Sequence, residues 1–263
     1  MDIMSGYQHN AKFSREAKKK FFSVCIDDFF LNPDKIREWG LSLDKTPNSD
    51  GSWPGVRSDK LFRVNDVVNQ HIICKILSAY FDESYASFGW THSDAYIQQI
   101  PKMSVNEGWV HRDTSGKKDK TNPEEDIDLA GLIYLTPDAD PNGGTSLMRL
   151  KPEYKNKLVA QIKPEKNIYY KGGEISDEDY TEALKRNNDK FYETVRFQNI
   201  YNRLIIYDAQ EYHRANSFDV GDSDRLTLVF FIGGISCDTL LPRERVINED
   251  FDTTIESAIK LKT

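Results

Sequence analysis

Residues 108–113 read GWVHRD, and residues 89–94 read GWTHSD. The spelling Gly-Trp-x-His-x-Asp thus occurs twice, and which copy is chemical decides the fold. On a strand, residues i and i+2 project to the same face, so His-x-Asp offers one imidazole and one carboxylate to a single ion. His111 and Asp113 follow the turn-like stretch PKMSVNEG and precede the polar stretch TSGKKDKTNPEED, with the apolar run LAGLIYLT beyond it. That context places the pair at the end of a strand, at a mouth fringed by loops, where a rigid scaffold can hold ligands while loops close over them. His92 and Asp94 run directly into the strand pattern AYIQQI with no loop after them. They are expected to cap or flank a strand instead.

Working outward, the chain from residue 86 has the texture of an all-β fold. SYASFGW, AYIQQI, LAGLIYLT, TSLMRL, RLIIYDA, EYHRANSF and RLTLVFFIGGI are short, rich in β-branched and aromatic residues, and separated by polar turns. That pattern predicts a mainly β fold with flanking helices, of the sandwich or jelly-roll kind. Residues 1–85 read as a mixed α/β extension. FFSVCIDDFF is strand-like, and LNPDKIREWGLSL is helical with Asn32 as cap and Pro33 at the first helical position. TPNSDGSWPGVRS reads as a loop, and VVNQHIICKILSAYF has apolar residues at helical spacing, with His71 as a partly buried helix residue. Residues 151–199 interrupt the strands with a polar, lysine-rich insertion. Within it, SDEDYTEALKRNNDKFYETV opens on a Ser176 cap followed by acids, which predicts a helix. No linker divides the chain, so a single domain is expected over 1–263: the extension, a core at 86–236, and a tail at 237–263.

Composition excludes several classes. A chain of 263 residues with 38% hydrophobic and 29% charged residues can bury a large core, so disorder throughout is not expected. A net charge of −7 and a pI near 5.4 give no electrostatic footprint for nucleic acid. No apolar run suits a bilayer span, and the basic N-terminal stretch lacks the apolar core of a secretory signal. Cys25, Cys74 and Cys237 are far apart and form no CxxC pair, so they read as buried thiols in a reducing cytoplasm. Lys117, Lys118 and Lys120, after Asp113, read as a solvated loop.

A His-x-Asp pair needs a third ligand. His9 lies in a polar arm and His71 on a predicted helix, which leaves His213, in LIIYDAQEYHRANSF among the last strands. Two histidines and one carboxylate on one side of an ion leave the remaining positions open, the facial triad of non-haem Fe(II) oxygenases. Twelve residues later Arg225 opens the apolar strand RLTLVFF. A buried guanidinium needs a partner, and a carboxylate held bidentately is the natural one. Thr227 faces the same way and offers a hydroxyl.

These residues, His111-x-Asp113, His213 and Arg225-x-Thr227, resemble the Fe(II)- and 2-oxoglutarate-dependent dioxygenases. YLTPDADPNGGTSLM is similar to the strand–turn–strand of the prolyl-hydroxylase-like branch. The resemblance spans about residues 86–236. It implies a double-stranded β-helix holding Fe(II) through His111, Asp113 and His213. It also implies 2-oxoglutarate chelating the iron, with Arg225 and Thr227 on its distal carboxylate and Tyr134 and Gln98 in the same pocket. Dioxygen would be the second co-substrate, succinate and CO2 the by-products, and a hydroxylated C–H bond of a peptide or small molecule the result. Halogenating relatives lack the carboxylate ligand, so Asp113 favours hydroxylation. Two other readings compete: a jelly-roll module binding a saccharide or peptide through Trp53, Trp90 and Trp109, and a cupin-like isomerase or zinc hydrolase. Arg225 argues against the last, because such sites need no buried anchor for a dicarboxylate.

Overall fold

The run RLTLVFFIG is apolar at nearly every position, and such a strand must be covered on both faces. In a computed structural model, which describes residues 21–81, 87–113, 127–154 and 164–237, it is the strand Arg225–Gly233, covered by a second sheet on one face and by helices on the other. In chain order the strands are β1 (Val24–Ile26), β2 (Lys45–Pro47), β3 (Val56–Ser58), β4 (Phe88–Gly89), β5 (His92–Ile100), β6 (Ile127–Tyr134), β7 (Thr145–Leu150), β8 (Phe191–Phe197), β9 (Leu204–Asp208), β10 (Tyr212–Ala215), β11 (Arg225–Gly233) and β12 (Ser236–Cys237). The helices are α1 (Pro33–Ser42), α2 (Leu61–Val64), α3 (Asp66–Leu77), α4 (Pro164–Tyr170) and α5 (Asp177–Asn188).

Among the described residues the large sheet runs β1-β9-β6-β11-β5-β3-β2 and the small one β10-β7-β8, with β12-β4 as a separate pair. An isolated antiparallel bridge between His111 and His213 adds the segment around His111 to the small sheet, beside β10. Successive segments β5, 108–111, β6, β7, β8, β9, β10 and β11 therefore fall in the large, small, large, small, small, large, small and large sheets. That winding is the jelly roll, or double-stranded β-helix.

Alternation along each strand sorts its side chains. Leu226, Leu228, Phe230 and Ile232 of β11 join Ile97, Leu129 and Ile133 against Ile72, Ile73, Ile76 and Leu77 of α3. Val229 faces the other way, into the space between the sheets, with Leu132, Leu147, Ile205 and Tyr207. The catalytic candidates share that inter-sheet space.

Several expectations are corrected by the fold. The stretch read as one loop, TPNSDGSWPGVRS, carries β2 and β3, which extend the large sheet past β5. The helix expected over 176–195 begins as read, with Ser176 Oγ accepting from the Asp179 amide at 3.0 Å, but it ends at Asn188. FYETVRF is instead β8, an edge strand of the small sheet paired with β7. Asn187, Asn188 and Asp189 are weak helix formers, and pairing with β7 supplies what local propensity does not. The 151–199 segment is thus part core and part insertion. His71 is exposed on α3, its Nδ1 in contact with the Val67 carbonyl at 2.7 Å. Cys25 and Cys74 are exposed, not buried. His9, Lys117, Lys118, Lys120 and the tail beyond Cys237 lie outside the described residues.

One side chain adds to the strand pairing of β1 with β9 and of β3 with β5 in fastening the N-terminal extension to the core. Asn202 is buried, its backbone in the left-handed region at φ 63°, a conformation Asn tolerates better than most residues. Its Oδ1 accepts from the Phe30 amide and its Nδ2 donates to the Phe30 carbonyl, each at 2.8 Å. The Phe29 amide donates to the Asn202 carbonyl at 3.0 Å. Asn202→Ala loses both side-chain bonds and strains the backbone, and is expected to lower unfolding stability by about 2–4 kcal/mol. Asn202→Gly relieves the strain and should cost about 1–2 kcal/mol less. Urea unfolding of the two variants measures the difference.

Candidate active site

Two imidazoles are brought together by the backbone. The His111 amide donates to the His213 carbonyl at 3.0 Å, and the His213 amide donates back at 2.9 Å. Their rings stand 4.4 Å apart between centroids. Each Nδ1 meets a carbonyl two residues upstream, Trp109 O at 2.8 Å for His111 and Glu211 O at 3.1 Å for His213. A carbonyl can only accept, so each Nδ1 carries the proton and each Nε2 keeps a lone pair. Those lone pairs converge on Asp113. His111 Nε2 is 3.8 Å from its Oδ1, and His213 Nε2 is 3.4 Å from its Oδ2.

One ligand atom from each of the three residues lies within 4.8 Å of the others. Asp113 Oδ2 is buried and makes no hydrogen bond among the described residues. Burial raises the carboxyl's pKa, opposed chiefly by His213 and then by Arg57 and Lys166. A buried carboxylate oxygen with no hydrogen-bond donor, beside two imidazoles of fixed tautomer, is a donor set that a divalent transition metal satisfies. The residues therefore fit Fe(II).

The glycine of the motif separates the two hexads. A Cβ at Gly108 would stand 2.6 Å from the Ala215 carbonyl oxygen, because the segment passes close along β10. A Cβ at Gly89 would meet nothing closer than Ser236 Oγ at 3.8 Å. His92 and Asp94 belong to β5, away from this cluster, and Asp94 pairs with Lys60 at 2.8 Å.

The segment bearing His111 has a second support. Asn188, at the end of α5, accepts from the Val110 amide at 2.9 Å and donates to the Gly108 carbonyl at 3.1 Å. Asn187 donates to the Val110 carbonyl at 3.1 Å. Two side chains thus take the place of a neighbouring strand, while Trp109 is buried against Tyr180, Ala183 and Leu184. The sequence marks α5 only as a helix in a polar insertion and does not disclose this role. Asn188→Ala is expected to weaken Mn(II) binding about 10- to 100-fold, read by calorimetry. Unchanged affinity would show that the ligating segment holds its place without the clamp.

Arg225 is 3% exposed and makes no ion pair among the described residues. Its Nε reaches only the Gly143 carbonyl, at 3.5 Å, and its Nη2 has no partner there. The guanidinium lies 5.5 Å from the Tyr134 ring centroid. Burial lowers its pKa, and the partial negative charge of Tyr134 opposes this. Tyr134 donates to Thr145 Oγ1 at 2.9 Å. Thr227 lies in register between Gln98 and Tyr134, fully buried, its hydroxyl without a hydrogen bond among the described residues. Gln98 is already engaged, donating to the Pro54 carbonyl at 2.8 Å and accepting from Arg57 Nη2 at 3.0 Å. One cavity is lined by His111, Asp113, His213, Arg225 and Gln98 together.

Two further cations line the same cavity and escaped the sequence reading: Arg57, from β3, and Lys166, from α4. Arg57 stacks 4.4 Å over the Trp53 ring, and burial pulls its pKa down to about 10. Lys166, 8% exposed, donates to the Ser52 carbonyl at 2.7 Å, and burial pulls it down to about 8. Arg57 was hidden in a stretch dense in turn residues, and Lys166 in a lysine-rich one. No local spacing rule marked either residue, since residues 53–57 are loop and strand, not helix.

A jelly roll thus gathers two histidines and an aspartate between its sheets. By sequence the chain belongs to the family of unknown function DUF6445, which matches residues 10–229. No curated protein matches it. Among solved structures it is similar to HygX from Streptomyces hygroscopicus with nickel and 2-oxoglutarate bound, at 12% identity and a TM-score of 0.49, over 89% of this chain and 87% of that one. It is also similar to a Pseudomonas putida prolyl-4-hydroxylase, at 11% identity and a TM-score of 0.41, over 81% and 92% of the two chains. A third is a Trichoplax adhaerens prolyl hydroxylase in complex with a hypoxia inducible factor peptide, at 11% identity and a TM-score of 0.44, over 89% and 94%.

Proposed function

We propose that the chain is an Fe(II)- and 2-oxoglutarate-dependent oxygenase that hydroxylates a C–H bond, working in the reducing cytoplasm as a single domain. The observation that carries this reading is one cavity lined by both a three-residue metal cluster and a buried arginine that no carboxylate of the described chain neutralises. His111, Asp113 and His213 would hold the metal, and Arg225 would hold the distal carboxylate of the co-substrate. Bound together, Fe(II), 2-oxoglutarate and O2 supply an oxidative decarboxylation that yields succinate and CO2 and places one oxygen atom in a substrate C–H bond.

The chain's own residues prepare that chemistry. The carbonyls of Trp109 and Glu211 fix the imidazole tautomers. Arg225 is dehydrated before any ligand arrives, so a dicarboxylate recovers the cost of its burial. Tyr134 keeps its proton and offers a neutral ring to the guanidinium, because burial raises its pKa and its hydroxyl is committed to Thr145. Thr227 keeps a hydroxyl beside it. Asp113 fills the third protein position, which favours hydroxylation over halogenation. A purely saccharide- or peptide-binding module would leave the cluster and Arg225 without a purpose.

The test is succinate release that requires both Fe(II) and 2-oxoglutarate. Asp113→Ala should abolish it. Arg225→Gln should raise the KM for 2-oxoglutarate about 10- to 100-fold, the loss of one charge-assisted contact of about 1.5–3 kcal/mol. Metal-independent succinate release, or an unchanged KM in Arg225→Gln, would contradict the assignment.

A further inference from the structure

If the cavity works as proposed, its charge is not balanced by metal and co-substrate alone. Its charged lining is Asp113, Arg57, Lys166 and Arg225, with the histidines neutral when they ligate. With Fe(II) and the doubly charged 2-oxoglutarate bound, whose charges cancel, three cations face one carboxylate and the cavity keeps an excess of positive charge. Arg225 answers the co-substrate, which leaves Arg57 and Lys166 over.

Neither leftover cation has an ion pair among the described residues. Arg57 is half-buried in an aromatic setting, with Trp53 at 4.4 Å, Tyr96 at 5.3 Å and Phe231 at 6.0 Å from its guanidinium carbon. Its Nη2 is spent on Gln98, while its Nε is buried and has no hydrogen bond. Lys166 commits one donor to the Ser52 carbonyl, and an ammonium has three. Asp50, the carboxylate that most stabilises its charge, is exposed and lies outside the cavity lining. Both cations also feel Asp113, on the metal side of the cavity. Holding two dehydrated cations in one cavity is costly unless an anion joins them. Trp53, Phe218, Val229 and Phe231 give the cavity apolar wall, beside the polar Ser52, Thr145, Tyr170 and Tyr207.

We propose that Arg57 and Lys166 form the anchor for the primary substrate, and that this substrate is a small oxyanion, a carboxylate or a phosphate ester, on an apolar body. This rests on the oxygenase reading for the place of the second ligand and goes beyond it in naming the substrate class. An arginine stacked on an indole presents its edge at a fixed angle, which suits a planar or tetrahedral oxyanion, and the lysine adds a point charge from the facing helix. The apolar body would then lie along Trp53 and Phe231.

The test uses matched probes on the full chain loaded with Mn(II) and N-oxalylglycine, which occupies the Arg225 end. Phenylacetate, phenyl phosphate and phenylacetamide are titrated by calorimetry. At least one of the two anions should bind ten-fold or more tighter than the amide, and the tighter of them identifies the source of the oxyanion. Arg57→Gln and Lys166→Met should each reduce that preference at least five-fold. Arg57→Lys and Lys166→Arg, which retain the charge, should keep part of it and show that loss in the first pair is not misfolding. Equal binding of all three probes, no binding of any at millimolar concentration, or a preference unchanged in both neutral variants overturns the proposal. Repeating the titration without metal separates the two readings. An anion preference in a protein that takes up neither Mn(II) nor N-oxalylglycine defeats the oxygenase reading alone, whereas uptake of both with no anion preference defeats this inference alone.

Discussion

Two reciprocal backbone hydrogen bonds between His111 and His213 are the constraint on which the rest of the site depends. They join a segment too short to be a strand to the edge of the small sheet, and they fix the spacing of two imidazoles before any side chain acts. Everything near the cluster protects that pairing. Gly108 lets the segment approach β10, Asn187 and Asn188 take the backbone groups that a neighbouring strand would otherwise satisfy, and Trp109 is pinned against α5. Helix α5 of the 151–199 segment therefore supports the segment that bears His111, and the strand β8 completes the small sheet.

The inter-sheet space is divided by charge. Near β10 sits a carboxylate with two imidazoles, and at the start of β11 sits an arginine with a neutral tyrosine. The extension contributes a second arginine over an indole. Each cation is more dehydrated than its partners within the protein justify. Such sites are held by the surrounding fold at a cost in stability, and that cost is recovered when ligands arrive. Among the described residues no helix is long and apolar enough to cross a membrane.

The jelly-roll texture was legible because its strands are short, apolar and bounded by turns, and because β11, covered on both faces, reads as a near-continuous apolar run. The candidates His111, Asp113, His213 and Arg225 could be read from residue type and order along the chain, although residues 108–111 make a single bridge to β10 where the end of a strand was expected. What stayed hidden was made by tertiary contact. β8 looks helical because the acids and lysines before it continue a helical rhythm, and only pairing with β7 makes it extended. β2 and β3 vanish among Pro, Gly and Ser because they are three-residue strands, β3 held by β5 and β2 by β3. Arg57 and Lys166 gain their meaning from convergence of an N-terminal strand and an inserted helix, which no spacing rule connects. Cys25 and Cys74 were misjudged for the same reason, since their apolar neighbours point inward while they do not.

The central claim is that one metal ion, gripped by residues 111, 113 and 213, shares its cavity with a diacid anchored at Arg225. Anaerobic addition of Fe(II) and 2-oxoglutarate to the full chain, followed by visible absorption, tests it most directly. A charge-transfer band that needs both additions, and that vanishes in Asp113→Ala, is the predicted result. A protein that binds 2-oxoglutarate with no such band, or that gives the same band without Asp113, would contradict the account.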